Sequence, residues 1–266
     1  MRIQNRAIVV TGASSGLGWA TAGHLAARGA RVWAVARSEE PLQRLAERHP
    51  SIIPVVADVS SSDDRLRLAA LATEADVLVN NAGVAWLGPF EKMEAPDVRT
   101  MYEVNVLGLI ELTRLFLPAM LERKQGHIVN ISSVAAWAAL PPFTVYSSTK
   151  FAVQGFTEGL RRETLGRGVT VASINPGPLP TGFFLRATLP DISYRSGETT
   201  VGPGSGLVAL AVARTIRYRH VPGYQVVTVP RVLGTSRLVG APVIGRAFDL
   251  VGLGMRQWGH VLRTDR

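Results

Sequence analysis

The sequence predicts an α/β protein, a single doubly wound domain on a parallel sheet with a helical extension at its C-terminal end. Three observations carry this expectation. Over the first 180 residues, short β-branched runs alternate with helical patterns. Such alternation implies βαβ units, hence a parallel sheet covered on both faces. A glycine-rich turn separates the first strand from the first helix. No internal repeat or low-complexity linker interrupts the pattern, so one domain is expected rather than two.

Taken in order, Ala7–Thr11 is an apolar run that ends in the glycine turn, and the helical stretch after it stops near Gly29. Arg31–Ala36 is the second strand. Residues 52–57 and 76–80 follow as strands, each after a polar helical segment. Residues 100–122 read as one long helix, Gly126–Ile131 as a strand, 145–166 as a helix and 169–174 as a strand. The order then changes. Residues 176–206 are rich in Gly, Pro, Ser and Thr and enclose Phe183-Phe184-Leu185, the pattern of a flexible loop (about 180–205) carrying a short helix. Residues 206–219 are helical and 224–229 form the last strand. Domain 1–230 is thereby followed by an extension, 231–266. Within the extension, Pro242 opens a helical pattern whose Val243, Ile244, Ala247, Phe248 and Val251 share one face. That face is expected to pack on the domain or on a partner subunit.

Composition narrows the function classes. Apolar residues make up 47% and charged residues 18%, as in a compact globular chain. There is no cysteine, which excludes disulfides and thiolate metal sites and fits a cytoplasmic protein. The five histidines have no metal-like spacing, so no metal is expected. The N-terminus runs straight into the first strand, leaving no signal peptide to expect. The longest uncharged stretch, 126–149, contains Asn130, Ser132-Ser133 and Pro141-Pro142, which argue against a bilayer span. Net charge is +9, of which residues 205–266 carry +7 with nine basic and two acidic groups. Few stacking aromatics accompany these bases, so nucleic acid is not the expected partner. Peripheral contact with anionic lipid through the tail is the competing use of that charge.

The turn Gly12-Ala13-Ser14-Ser15-Gly16-Leu17-Gly18 lies between a strand and a helix. Its glycines allow a tight turn and let the backbone approach a pyrophosphate stabilised by the helix N-terminus. An ordinary strand–helix turn would look similar, and the flanking elements supply the context that favours a dinucleotide. With Thr11 before it, the spacing Gly-x-x-x-Gly-x-Gly resembles the short-chain dehydrogenase/reductase superfamily. Further residues carry the resemblance in the right order across about residues 5–230. They are Asp58-Val59 after the third strand, Asn80-Asn81-Ala82-Gly83 after the fourth, Asn105 in the long helix, Ser133 thirteen residues before Tyr146, the Tyr146-x-x-x-Lys150 pair, and Pro176-Gly177 with Thr181. The resemblance implies a Rossmann domain, a nicotinamide dinucleotide as cofactor, and an oxidoreductase acting on CH–OH groups. It implies cofactor contacts from Gly12, Ser14, Ser15, Gly16, Leu17, Gly18, Asp58, Val59, Asn81, Ala82, Gly83, Tyr146, Lys150, Pro176, Gly177, Leu179 and Thr181. It also implies a homo-oligomer, dimer or tetramer.

Arg37 closes the second strand, where an acidic residue would bind the ribose 2′-hydroxyl and favour NAD. A cation followed by Ser38 suits a 2′-phosphate, so NADP(H) is expected over NAD(H). Hydride transfer to a carbonyl builds charge on oxygen, and a proton must follow. Tyr146 and Lys150 share a helical face one turn apart, and a neighbouring cation favours a phenolate. Lys150 is one of only three lysines among 29 basic residues, which points to a need for a compact ammonium. Ser133 at a strand end can donate to the substrate oxygen. By resemblance, Lys150 also binds the nicotinamide ribose and Asn105 holds a water linking Lys150 to solvent. Trp86, Trp137, Phe143, Phe183 and Phe184 flank these residues, so an apolar ketone, aldehyde or alcohol is the expected substrate. A 3-oxoacyl-carrier-protein reductase is the alternative enzyme, and a membrane- or partner-docking protein using the basic tail is the alternative of another class.

Overall fold

A computed structural model describes residues 1–139, 141–177, 183, 204–220 and 226–229. The extension 231–266, and with it Val243 and its neighbours, lies outside the described residues. So do Leu179, Thr181 and Phe184.

Seven parallel strands form one sheet: β1 Ala7–Thr11, β2 Arg31–Ala36, β3 Ile52–Val56, β4 Val77–Asn80, β5 Gly126–Ile131, β6 Val169–Pro176 and β7 Val226–Val229. Their spatial order is β3-β2-β1-β4-β5-β6-β7. The chain therefore begins mid-sheet, runs outward to β3, returns beside β1 and runs outward the other way. The connections leaving β1 and β4 diverge at that reversal and open a crevice at the carboxyl ends of the strands.

Among the described residues, seven α-helices cover the sheet: α1 Gly16–Ala26, α2 Glu39–Arg48, α3 Ser62–Leu71, α4 Ala95–Tyr102, α5 Gly108–Glu122, α6 Thr144–Glu163 and α7 Ser205–Arg217. Side chains alternate across each strand, and each face has its own core. Ile8, Val10, Val32, Ala34, Val77, Val79 and Val129 pack with Leu25 of α1, Leu42 of α2 and Ile216 of α7. Val9, Trp33, Val35, Leu78, Ile128 and Val171 pack with Leu68 of α3, Phe116 and Met120 of α5, and Leu160 of α6. Burial of each large side chain contributes about 1.5–3 kcal/mol, which is why unbroken apolar strands specify helices on both sides.

The helix expected over 100–122 starts earlier and is not uniform. It begins at Ala95 with a proline in its first turn, a position where the missing N–H costs nothing. A π segment, Glu103–Leu107, then interrupts it before α5. Asn105 lies in that segment and is buried. A ladder of amides crosses the interior nearby. Asn80 Nδ2 donates to Thr113 Oγ1 at 3.1 Å and to Asn130 Oδ1 at 2.9 Å, and Asn130 Nδ2 donates to Thr157 Oγ1 at 2.9 Å. These bonds tie α5, β4, β5 and α6 into one rigid unit just below the carboxyl ends of the strands, because a broken link would leave a buried amide unpaired.

Candidate active site

The turns after β1 and β4 are stitched together across the crevice. Thr11 Oγ1 accepts from the backbone N–H groups of Asn81 and Ala82, both at 3.0 Å. Asn81 Nδ2 donates back to the Thr11 carbonyl at 2.9 Å. Gly12 has φ +69°, and a Cβ there would lie 2.8 Å from the Ala82 Cα. Both its conformation and the close approach of the two turns therefore require glycine. Gly18 stands behind the turn, where a Cβ would strike the Gly12 carbonyl and the Asn81 amide.

Beyond this turn, α1 begins with no side-chain cap and no acidic residue in its first turn. By contrast, α2 starts with Glu39 and Glu40, and α3 with Asp63 and Asp64. Carboxylates complement a helix N-terminus, and α1 alone of these three leaves its positive end open. It faces a cavity of about 400 Å³. Gly12, Ser14, Ser15, Gly16 and Leu17 line the cavity beside α1, Arg37, Asp58 and Val59 line one end, and Asn81, Ala82 and Gly83 line its middle. Ser133, Tyr146, Lys150, Pro176, Gly177 and Phe183 line the remainder. An open helix end, a tight glycine turn and a long cleft fit a dinucleotide. Of the remaining expected cofactor residues within the described part, Gly18 and Ser38 do not line the cavity, and Ser38 is the cap residue of α2.

Arg37 Nη1 is 3.9 Å from Asp58 Oδ2, with the arginine side chain 69% exposed. Asp58 Oδ1 is already engaged by the Ser60 N–H at 2.9 Å and hydroxyl at 2.7 Å. An exposed pair at this distance is weak, so the guanidinium remains available to an anion.

At the other end, β5 and α6 bring three reactive side chains together. Ser133 follows β5, and its Oγ accepts from the Ala135 N–H at 3.1 Å. The same side chain neighbours the Tyr146 phenol and acts to lower its proton affinity. Tyr146 is only 5% exposed. Burial pushes its phenol up to about 12, and Ser133 acts in the opposite direction. Lys150 Nζ donates to the Ile131 carbonyl at 3.1 Å and lies 5.5 Å from the centre of the Tyr146 ring. Burial pulls this ammonium down to about 8. Desolvation thus governs the proton affinity of Tyr146, and the expected lowering by its lysine neighbour is not among the influences on it.

Asn105 stands behind the cavity. Its Nδ2 donates to the Val84 carbonyl at 2.8 Å and to Thr149 Oγ1 at 3.1 Å, while its Oδ1 accepts from the Val84 N–H at 2.8 Å. Both amide protons are committed to holding the chain after β4 against α6. Only oxygen atoms of Asn105 are left for a relay water.

A family model described as short chain dehydrogenase matches residues 6–188. The chain belongs to the short-chain dehydrogenase/reductase family. It is an oxidoreductase with a Rossmann fold, and a nicotinamide dinucleotide is its cofactor class. Among relatives of this dehydrogenase, a very-long-chain 3-oxoacyl-CoA reductase of Anas platyrhynchos is 35% identical over 214 residues, covering 76% of this chain and 68% of that one. A short-chain dehydrogenase/reductase from Burkholderia phymatum in complex with NAD superposes with a TM-score of 0.78 at 28% identity, covering 90% of this chain and 94% of the other. One from Burkholderia cenocepacia in complex with NADP gives 0.74 at 28% identity, covering 95% and 99%.

Several parts of the site in this dehydrogenase carry no signal in the sequence. Ile131 matters through its carbonyl, which any residue would supply. Thr149 matters as a partner of Asn105, and nothing in its spacing marks it. Val84 and Ala85 line the cavity as ordinary apolar residues. Of the rings expected at the rim, Phe183 lines the cavity, whereas Trp86, Trp137 and Phe143 do not.

Proposed function

We propose that the protein is an NADP(H)-preferring oxidoreductase that interconverts an apolar ketone or aldehyde and its alcohol, with Tyr146 as proton donor and acceptor. The observation that carries this reading is the meeting of Ser133, Tyr146 and Lys150 at one end of a dinucleotide-sized cleft. When bound, the reduced nicotinamide supplies a hydride to the carbonyl carbon. Ser133 and Tyr146 bind the carbonyl oxygen, and the developing charge there is stabilised by their hydrogen bonds. Tyr146 then transfers its phenolic proton to that oxygen, which balances the hydride and yields the alcohol. The phenolate is re-protonated from solvent, with Lys150 beside it to stabilise the charge. A phenol raised by burial keeps its proton at neutral pH, which favours the reductive direction.

Arg37 supports the preference for NADP(H). A guanidinium binds a phosphate dianion through charge-assisted hydrogen bonds, each worth about 1.5–3 kcal/mol. Arg37→Asp is therefore expected to weaken NADPH binding by roughly ten- to a hundredfold while changing NADH affinity little. Fluorescence titrations with both cofactors test this, and equal affinities in the unmodified protein would refute the preference. The Anas relative favours a second reading in which the ketone is a 3-oxoacyl thioester. A panel of simple ketones and acetoacetyl-CoA, assayed with NADPH and NADH, separates the two.

A homo-oligomer belongs to the same reading. Leu107 and Phe151 are each 45% exposed on adjoining helical segments, and Tyr102 is exposed beside them, with its hydroxyl 3.0 Å from Ser148 Oγ. This apolar face suits a second copy of the chain. Sedimentation should report a dimer or larger that Leu107→Arg with Phe151→Arg dissociates. An oligomer that persists unchanged in the double variant would remove this face from consideration.

A further inference from the structure

The phenol that must reach the substrate is almost completely covered, and aromatic rings contribute to the cover. The Phe183 ring centre is 5.8 Å from that of Tyr146 at an interplanar angle of 57°, and the Phe143 ring is 6.3 Å away at 58°. Both are favourable tilted pairings. The two phenylalanines differ in what else they touch. Phe143 caps the start of α6 and does not line the cavity. Phe183 is half-buried and lines the cavity together with Ser133, Tyr146 and Lys150.

We propose that Phe183 is a specificity-determining residue, whose ring covers Tyr146 and forms the wall against which a flat aromatic substituent of the carbonyl substrate lies. The inference rests on Tyr146 being the proton donor. A ketone oxygen that reaches both Ser133 and Tyr146 carries two substituents, and one of them must pass beside the ring that flanks the phenol. That ring offers a planar apolar face. An aryl group can stack on it or meet it edge-on, whereas a puckered or branched group of equal carbon count meets it at fewer atoms. The same ring lies against Tyr146 and adds to its cover, and burial raises the proton affinity of the phenol. One side chain thereby couples the choice of substrate to the acidity of the proton donor.

Two variants of the full-length enzyme separate these contributions. Phe183→Ala removes both the face and the cover, and Phe183→Leu keeps apolar bulk but removes the planar face. The ratio of kcat/KM for acetophenone over cyclohexyl methyl ketone, two methyl ketones with rings of equal carbon number, should favour acetophenone in the unmodified enzyme. It should fall about tenfold in both variants, the scale of one lost aromatic pairing with its buried area. Ionisation of Tyr146, followed by NMR of protein carrying ¹³Cζ-tyrosine and assigned by difference from Tyr146→Phe, should move to lower pH in Phe183→Ala but remain in place in Phe183→Leu. This readout needs neither cofactor nor turnover. It therefore stays informative if Tyr146→Phe proves active and the assignment of the proton donor fails. An unchanged ketone ratio in the alanine variant, no turnover of acetophenone by the unmodified enzyme, or a Tyr146 resonance that titrates alike in the unmodified and alanine proteins would each overturn the proposal.

Discussion

Tyr146→Phe is expected to lower kcat for carbonyl reduction by roughly a hundred- to ten-thousandfold, the range for loss of a positioned general acid. The substitution removes one oxygen and leaves the ring. Contacts of that ring with Phe143 and Phe183 persist, and so does the buried face of the helix that carries it. Ser133 keeps its hydrogen bond from the Ala135 N–H, so the fold should be nearly unaffected. Thermal unfolding by circular dichroism should shift by only a few degrees, and NADPH titration should give an affinity close to that of the unmodified protein. The loss then appears in kcat rather than in binding, as expected for an interaction made in the transition state. A variant that turns over at the original rate would return Tyr146 to the role of a core tyrosine.

Much of the fold is legible because its causes are local. Ala7–Val10 is an unbroken apolar run beside glycine, and burial on both faces follows from that composition alone. The glycine turn, too, declares itself through residues that only a special backbone or a close approach needs. Other features depend on partners far away in sequence. The π segment around Asn105 has no pattern of its own; it accompanies an amide that bonds the backbone of Val84 and the hydroxyl of Thr149. The early start of α4 was signalled by Pro96, but the apolar periodicity that located the helix begins only later in the segment. Lys150 could be picked out by its rarity, yet the group that orients it is the carbonyl of Ile131, which carries no side-chain signature. The raised proton affinity of Tyr146 was likewise not readable. Spacing identified a cation one helical turn away, whereas the depth of burial, which raises the phenol, is a property of the assembled fold.

Lys150→Ala should depress catalysis and cofactor affinity together, and should also erase a pH dependence. The ammonium is buried, held by one backbone carbonyl, and lies close to both the phenol and the cleft. Burial lowers it to about 8. Below that pH it is charged and attracts an anionic dinucleotide; above it, the group is progressively neutral and the attraction fades. A bound anion favours the charged form, so binding must take up a proton when pH exceeds the free-enzyme value. Cofactor affinity should therefore be nearly constant from pH 6 to about 7.5 and fall as pH rises through about 8 toward 9.5. Lys150→Ala removes a charged hydrogen-bond donor, and Kd for NADPH should rise by roughly ten- to a hundredfold at neutral pH. The same variant should show no decline between pH 7 and 9.5, because its titrating group is gone. Turnover should drop by about a hundredfold or more, since the phenolate left after proton transfer would face no stabilising cation. Isothermal titration in two buffers of different ionisation enthalpy at pH 8.5 checks the proton uptake directly. Uptake should be seen in the unmodified protein and be absent from the variant. If affinity falls equally with pH in both proteins, the titrating group is not Lys150, and its ammonium has no part in holding the cofactor.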